Sequence, residues 1–428
     1  IGSRYTKMLI KDLRIEADTT HIIAVVGGGG KTSLIFQLQR EFFALNKRVI
    51  ICTTTHMAWD AKLPFSAPYQ IDHIENNLKK YGYAVVGRHQ PEDKIASCTN
   101  EEIAALQKHC DVLLIEADGS KQLPMKVPRS HEPVIPDLAD LVIGVIGLDA
   151  LGEAIDQVCH HPEHAALFLG KNASDRITME DILRIAESDK GLRKNVYDKN
   201  YRVFLNKADI VSREIRDSLH QKLKEHGIKG VCGSIRQRDK IGIVMLAAGY
   251  GRRFGSNKLL HRIQGKPMYQ HMLEKAQKLS EMDFAFITVT VVTQYREIYE
   301  DAKERGIHAL YNPEPDRGIS SSLKIGLEAN MEADAVMFAV SDQPWIRLET
   351  LKKLLTGFLL SSKGIAAAGN QELMGNPCIF QKRYYAELLE LTGDAGGKRV
   401  AKRHMDDVLL VTVPEGRELE DIDHSEMG

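Results

Sequence analysis

Two stretches of the chain share one pattern: an unbroken apolar run, a cluster of glycines and other small residues, then a helical periodicity. The first, from His21, reads HIIAVVGGGGKTSLIFQLQREFF, and the second, from Ile241, reads IGIVMLAAGYGRRFGSNKLL. An apolar run without alternation predicts a strand buried on both faces, and Leu34, Leu38 and Phe42 recur at helical spacing. Val49 to Cys52, Val112 to Ile115, Val142 to Ile146 and Tyr201 to Leu205 predict further buried strands in the first half. In the second half, Phe284 to Val292 and Val336 to Val340 predict strands. Pro267 opens a helix carrying Met268, Met272 and Leu279, and Leu348 to Leu360 predicts another with Leu351, Leu355 and Leu359 on one face. The alternation predicts an α/β protein of two three-layer α/β domains, each with a parallel sheet covered on both sides. The seam is expected between Lys229 and Lys240, where KGVCGSIRQRDK is small, polar and basic, giving domains of 1–235 and 236–428.

The 428 residues, 43% hydrophobic and 27% charged, hold enough material for more than one core. A formal net charge of -1 argues against a dedicated duplex-DNA or polybasic membrane binder, so neither nucleic acid nor membrane is expected as a partner. No apolar run approaches the roughly 18–20 residues of a membrane span; Val142 to Leu148 is interrupted by glycine. No basic segment with a long apolar stretch behind it begins the sequence, and its 6 cysteines form no C-x-x-C pair. The expectation is a cytoplasmic protein with reduced thiols.

In the second half, Leu246, Ala247, Ala248 and Gly249 let a backbone approach a ligand closely, and Gly249 and Gly251 permit unusual backbone angles. Arg253 and Lys258 add two cations within a few residues, which suits a polyphosphate better than a plain strand-to-helix turn would require. An aspartate at the carboxyl end of a strand facing such a turn is placed to hold Mg²⁺, and Asp342 is that residue; its alternative role is a helix cap before Pro344. Asp421 or Asp423 completes the metal shell, or belongs to a solvated acidic tail. A phosphate monoester is largely dianionic at neutral pH, its second pKa being about 6, so an acceptor of this kind needs positioning and charge neutralisation rather than a protein base.

This half resembles the MobA-like nucleotidyltransferases and, within them, the molybdenum cofactor cytidylyltransferases, whose opening L-A-A-G-x-x-x-R-x-G-x-x-K is matched by Leu246, Ala247, Ala248, Gly249, Arg253, Gly255 and Lys258. NPEPDRGISSSLKIGL, from Asn312, resembles the segment that closes over base and ribose, with Ser321 and Ser322 as contacts; their alternative role is helix capping. Gly375-Asn376-Pro377 and the loop containing Asp394 resemble acceptor-side loops. Asp421-Ile422-Asp423 resembles the family's D-I-D motif, although His424-Ser425 stands where the family usually has Thr-Pro. The resemblance implies a Rossmann-like (GT-A-like) fold, Mg²⁺, CTP as nucleotide and molybdopterin cofactor as acceptor, with Arg253, Lys258 and Asp342 catalytic and pyrophosphate released. GTP, or another phosphate acceptor, is the alternative.

In the first half, Gly27 to Gly30 with Lys31 and Thr32 follow a strand and open a helix, the context of a phosphate loop. The spacing departs from G-x-x-x-x-G-K-[ST]: Val25 stands where the first glycine belongs, so the loop is about two residues short. Gly28, Gly29, Gly30, Lys31 and Thr32 are the phosphate candidates, against a packing turn that requires glycine. Glu116-Ala117-Asp118-Gly119 ends a strand and supplies an acidic metal contact, assigned to Asp118. Asn206-Lys207-Ala208-Asp209 has the form of the guanine-reading N-K-x-D, so Asn206, Lys207 and Asp209 join the site with GTP or ATP as ligand. Thr53-Thr54-Thr55-His56 could line the same pocket or simply end a strand. Ser120-Lys121, Lys126, Arg129 and His131 offer either an anion site or a solvated loop, and CHHPEH from Cys159 either a metal site or a helix start. VVGGGGKT, TTTH, IEADGSK, HEPVIP and LNKAD together resemble the YqeC family, from Lys7 to Gly233. This resemblance implies a P-loop-like NTPase fold and a role as accessory to selenium-dependent molybdenum hydroxylases, with an apo-hydroxylase as partner. A nucleotide-gated metallochaperone or binding module is the alternative reading of the whole chain.

Overall fold

A computed structural model describes residues 8–91, 93–236, 238–249, 257–369 and 374–422. The chain forms two compact units, Ile1–Arg238 and Asp239–Gly428.

The first unit is built on an eight-stranded sheet, parallel at every pairing. Its spatial order is Gly230–Cys232, Asn200–Asn206, Leu141–Gly147, Ile22–Gly27, Val112–Glu116, Val49–Thr53, Tyr83–Val86 and Phe65–Ser66. The strand Ile22–Gly27 is buried at all positions, as its unbroken apolar sequence requires. Ile22, Ala24 and Val26 join a core with Ile74 and Leu78 of the helix Ile71–Tyr81 and with Ile103 and Leu106 beyond it. Side chains alternate along a strand, so Ile23 and Val25 point to the opposite face. The helix Lys31–Ala44 packs on the strands Ile22–Gly27, Val49–Thr53 and Val112–Glu116, with Leu34, Leu38 and Phe42 fully buried. Another core joins Val203 and Leu205 to Ile182, Ile185, Leu219 and Leu223. A small antiparallel sheet of His56–Ala58, Lys94–Ala96 and Arg88–Gln90 is not evident from the hydrophobic pattern, because its strands are short, charged and largely exposed.

The second unit has a seven-stranded sheet in the order His308–Tyr311, Phe286–Thr293, Lys240–Ala247, Ala335–Val340, Met374–Gln381, Ile365–Gly369 and Val408–Thr412. It is mixed rather than parallel throughout, which corrects the expectation. Met374–Gln381 runs antiparallel to both neighbours. Only residues 370–373 separate it from Ile365–Gly369, too few for the crossover that a parallel return needs. One core of this unit joins Val244, Leu246, Val292 and Phe338 to Leu323 and Leu327 of the helix Ile319–Glu328. No described helix is long and apolar enough to cross a membrane.

In both units the chain leaves a central strand toward one side and later returns to its other side. Such a reversal opens a crevice at the carboxyl ends of the strands. In the first unit it lies at the end of Ile22–Gly27, and in the second at the end of Lys240–Ala247.

Candidate functional site

In the second unit, Lys240–Ala247 lies between Phe286–Thr293 and Ala335–Val340, both parallel to it. The three carboxyl ends therefore meet at Ala247 to Gly249, Thr293 to Tyr295 and Ser341 to Gln343. Thr293 Oγ1 donates to Ala247 O at 2.8 Å, Gln294 Nε2 to Ala248 O at 2.8 Å, and Tyr295 OH to Gly249 O at 2.9 Å. Ser341 Oγ donates to Leu246 O at 2.9 Å. These bonds occupy the carbonyls of the small-residue segment and fix it to the neighbouring strand ends. Lys258 Nζ lies 2.7 Å from Asp342 Oδ2, with both side chains mostly enclosed. The backbone N–H of Ile422 reaches Asp342 O at 3.2 Å, and Gln343 Nε2 donates to Asp421 Oδ1 at 2.9 Å. The carboxyl group of Asp421 is pushed above its ordinary value, first by desolvation and then by the neighbouring carboxylate of Asp342. Two hard oxygen donors thus approach one another beside a lysine. That donor set suits Mg²⁺, which takes one or two carboxylates and completes its shell with phosphate and water. Among the described residues no three His, Cys, Asp or Glu side chains form a metal-holding group.

On the other flank, Asn312 Nδ2 donates to Ser321 Oγ at 2.9 Å and to Ser322 Oγ at 2.8 Å, while its own N–H reaches Thr293 O at 2.8 Å. Ser321 Oγ donates to Gly318 O at 2.8 Å. Both serines are therefore tied into a local network, and neither caps the helix Ile319–Glu328, which begins after Gly318. Gly318 has φ of 81°, and a Cβ there would stand 2.5 Å from Gly393 backbone and 2.6 Å from Asp394 Oδ1, so Asp394 belongs to this flank. Gly375, Asn376 and Pro377 lie at the start of Met374–Gln381, where a Cβ on Gly375 would meet Leu419 at 2.8 Å. Leu419 O accepts from Gln343 Nε2 at 2.9 Å, which places this strand end beside the Asp342 turn. Gly251, Arg253, Gly255 and Asp423 lie outside the described residues. Thr293, Gln294 and Tyr295 were not singled out in sequence, and Asn312 only as the first residue of NPEPDRGISSSLKIGL; the one signal for the first three is position, at the end of an apolar strand.

In the first unit the glycine run is drawn in tightly. The N–H groups of Gly27, Gly28 and Gly29 donate to Asp118 Oδ2 at 3.3 Å, Val145 O at 2.9 Å and Leu123 O at 3.0 Å. A Cβ on Gly29, where φ is 78°, would stand 2.2 Å from Gly147 N. The short loop thus packs its first three N–H groups inward rather than forming an open nest. The N–H donors left at this turn are those of the first turn of Lys31–Ala44, which have no acceptor within the helix. Lys31 is buried, its Nζ donating to Gly27 O at 2.9 Å and Ser120 Oγ at 2.9 Å and lying 3.8 Å from Glu116 Oε1. Thr32 Oγ1 donates to Glu116 Oε2 at 2.7 Å. The carboxylate beside Thr32 is therefore Glu116; Asp118 pairs instead with the fully buried Lys126. Burial pushes Lys31 down and Glu116 up, each opposed by the charge of the other, and pushes Asp118 up against the pull of Lys126.

The N-K-x-D segment reaches the same loop. Asn206 Nδ2 donates to Gly29 O at 2.8 Å. Lys207, in a left-handed conformation with φ of 62°, pairs with Asp149. Asp149 was not anticipated, although it too follows an apolar strand, Leu141–Gly147. The buried Oδ1 atoms of Asp149 and Asp209 have no hydrogen-bond partner among the described residues. The threonines do not line the pocket with free hydroxyls: Thr53 Oγ1 donates to Glu116 O at 2.8 Å and Thr54 Oγ1 to Val134 O at 2.7 Å.

Comparison with known proteins finds a likeness for each unit. Residues 23–163 match the YqeC protein family, and residues 243–408 match the MobA-like NTP transferase domain. The chain is 32% identical over 243 residues to the YqeC protein of Escherichia coli (strain K12), spanning 54% of this chain and 94% of that protein. It is 28% identical over 137 residues to the bifunctional protein GlmU of Bordetella petrii, covering 31% of this chain but only 29% of that protein. Among solved structures, Rv0371c from Mycobacterium tuberculosis H37Rv matches at 20% identity and a TM-score of 0.37, covering 44% of this chain and 94% of that one. Molybdopterin-guanine dinucleotide biosynthesis protein A from Archaeoglobus fulgidus matches at 16% identity and a TM-score of 0.34, covering 43% and 93%.

Proposed function

The chain belongs to the YqeC family through its first unit and carries a MobA-like NTP transferase domain in its second, and from that premise we propose that it transfers a cytidylyl group from CTP to the terminal phosphate of molybdopterin cofactor. The observation that carries the reading is the approach of Lys258 to Asp342, 2.7 Å apart, at the crevice end of Lys240–Ala247. Asp342 and Asp421, together with Asp423, would hold Mg²⁺. The ion supplies charge neutralisation at the α- and β-phosphates.

The chain's own contribution is electrostatic and positional. Lys258 and Arg253 offset the charge of the departing pyrophosphate. Gly249 and Gly251 let the loop approach the phosphates without side-chain interference. Asn312 sets Ser321 and Ser322 beside the base and ribose, and Gly375, Asn376, Pro377 and Asp394 face the acceptor. The acceptor phosphate attacks as the dianion, so no side chain is needed as general base.

The first unit, in this reading, binds a purine nucleoside triphosphate through Lys31, Thr32 and Glu116, with Asp209 reading the base. The unpartnered Oδ1 of Asp209 favours a ligand that donates N–H, as guanine does. The two units together serve the maturation of a molybdenum hydroxylase, selenium-dependent ones included.

A panel of CTP and GTP against molybdopterin cofactor, sugar phosphates and polyol phosphates tests the substrate pair. Preference for CTP with the pterin supports the proposal. Turnover with GTP alone, or with a sugar phosphate alone, replaces it. Tight nucleotide binding to the first unit with no transfer by the second supports the accessory binding module instead.

A further inference from the structure

Two segments that are separate in sequence meet in the first unit beside the glycine turn, where a Cβ on Gly28 would stand 3.0 Å from Met125 N. The strand Met125–Lys126 pairs in parallel with Cys159–His160, so the basic loop that follows Met125–Lys126 lies beside the histidine cluster. Arg129 Nη2 lies 2.6 Å from His161 Nδ1. A guanidinium only donates, so Nδ1 accepts and the remaining proton of a neutral His161 sits on Nε2. The rings of His160 and His161 lie with centroids 3.8 Å apart, tilted by 35°. His160 is 9% exposed, and neither of its ring nitrogens has a hydrogen-bond partner among the described residues. A buried imidazole left wholly unpaired in this way costs stability unless a ligand completes it.

The charges around the pair decide what that ligand is. The charged groups acting on His160 include His161, Lys126, Glu132 and Lys121, and those acting on His161 include Arg129, Glu132, Lys126 and Lys121. Lys126 is already paired with both Glu132, at 2.8 Å, and Asp118, so Arg129 and Lys121 are the cations left to act on the rings. Cys159, the nearest soft donor in sequence, belongs to the apolar core with Met125 and Ile155. A cation entering here would meet the Arg129 guanidinium and the exposed Lys121, with no cluster of three metal-ligating side chains among the described residues. An oxyanion would meet N–H donors and favourable charge.

We propose that His160, His161 and Arg129 form a binding site for a tetrahedral oxyanion of the phosphate class, adjoining the glycine turn but built from donors other than Lys31 and the helix it opens. The imidazole donors and the guanidinium supply the hydrogen bonds, and Lys121 adds long-range attraction. The site does not depend on the reaction assigned to the second unit.

Desolvation, followed by the neighbouring charges, holds His160 down at about 4. A bound anion reverses the sign of the nearest charge, so the imidazole becomes easier to protonate. The test is nuclear magnetic resonance of the full-length chain with isotope-labelled histidines, titrated with inorganic phosphate. Signals are assigned with His160→Asn and His161→Asn. Saturable shifts at both rings, and a rise of the His160 titration midpoint by at least about one unit, are expected. Arg129→Ala, an exposed position, should weaken phosphate at least about tenfold, and Lys31→Ala should leave the shifts in place. Unmoved imidazole signals, or shifts that survive Arg129→Ala and vanish in Lys31→Ala, would overturn the proposal. Should His160→Asn fail to fold, the Arg129→Ala and Lys31→Ala comparison decides the matter by itself.

Discussion

At the scale of single residues, the account rests on a few polar groups whose partners are known. Asp342→Asn keeps the size of the side chain and removes its charge. Its ion pair with Lys258 is partly solvated, so the expected stability change is within about 1 kcal/mol, while pyrophosphate release should fall by at least about a thousandfold. Melting curves and a pyrophosphate assay on the same preparation check both halves. In the first unit, Thr32→Val removes the hydroxyl that donates to buried Glu116. A loss of stability of about 1–3 kcal/mol and weaker binding of nucleoside triphosphate with Mg²⁺ are expected, readable by urea unfolding and calorimetry. The acidic turn was legible in sequence, but the choice between Glu116 and Asp118 was not. Glu116 ends the strand Val112–Glu116 and Asp118 follows it, and only the position of Lys126, brought in by the next segment, occupies one and leaves the other to Thr32. Asn312 illustrates the same limit, since its two serine partners lie 9 and 10 residues away.

At the scale of elements, the glycine turn is a tight joint as much as a ligand loop. Gly29→Ala forces a Cβ to within 2.2 Å of Gly147 N at a left-handed φ of 78°, so a destabilisation above about 2 kcal/mol is expected. Gly119→Ala is the control, because a Cβ there meets nothing within 4 Å; urea unfolding of both variants gives the contrast. A second element-level device is the docking of the helix Leu9–Asp12. Glu41, fully buried, accepts from Leu9 N at 3.0 Å and Ile10 N at 2.9 Å. Burial raises its carboxyl from 4.5 to about 7, against the pull of those bonds and of Gln37. The folded state therefore holds a proton that the unfolded chain has already lost between these values. This contribution is fully present below about 4.5 and disappears as the pH rises through about 7, a change of about 3 kcal/mol. Glu41→Gln should remove that component from the pH dependence of first-unit stability; an unchanged profile would place its origin elsewhere. Long apolar strands such as Ile22–Gly27 and Lys240–Ala247 were legible because burial on both faces leaves one kind of residue. Ile365–Gly369, reading IAAAG, was not, because alanine favours helix and only its place inside the sheet makes it a strand.

At the scale of the whole molecule, the two compact units each contain their own buried clusters, one set of Val203, Leu205 and Ile182, another of Val244, Val292 and Leu327. Calorimetry should resolve two unfolding transitions, with Gly29→Ala lowering only one of them. The division into two α/β units followed from the repeated strand, glycine turn and helix. The mixed sheet of the second unit did not, since chain direction is set by the brevity of a connection rather than by apolar pattern. The most direct measurement is pyrophosphate release by the purified full-length chain given CTP, Mg²⁺ and molybdenum-loaded molybdopterin. Release that requires all three and is abolished in Asp342→Asn is the predicted result. No release, while a known cytidylyltransferase turns over fully in parallel, would contradict the assignment.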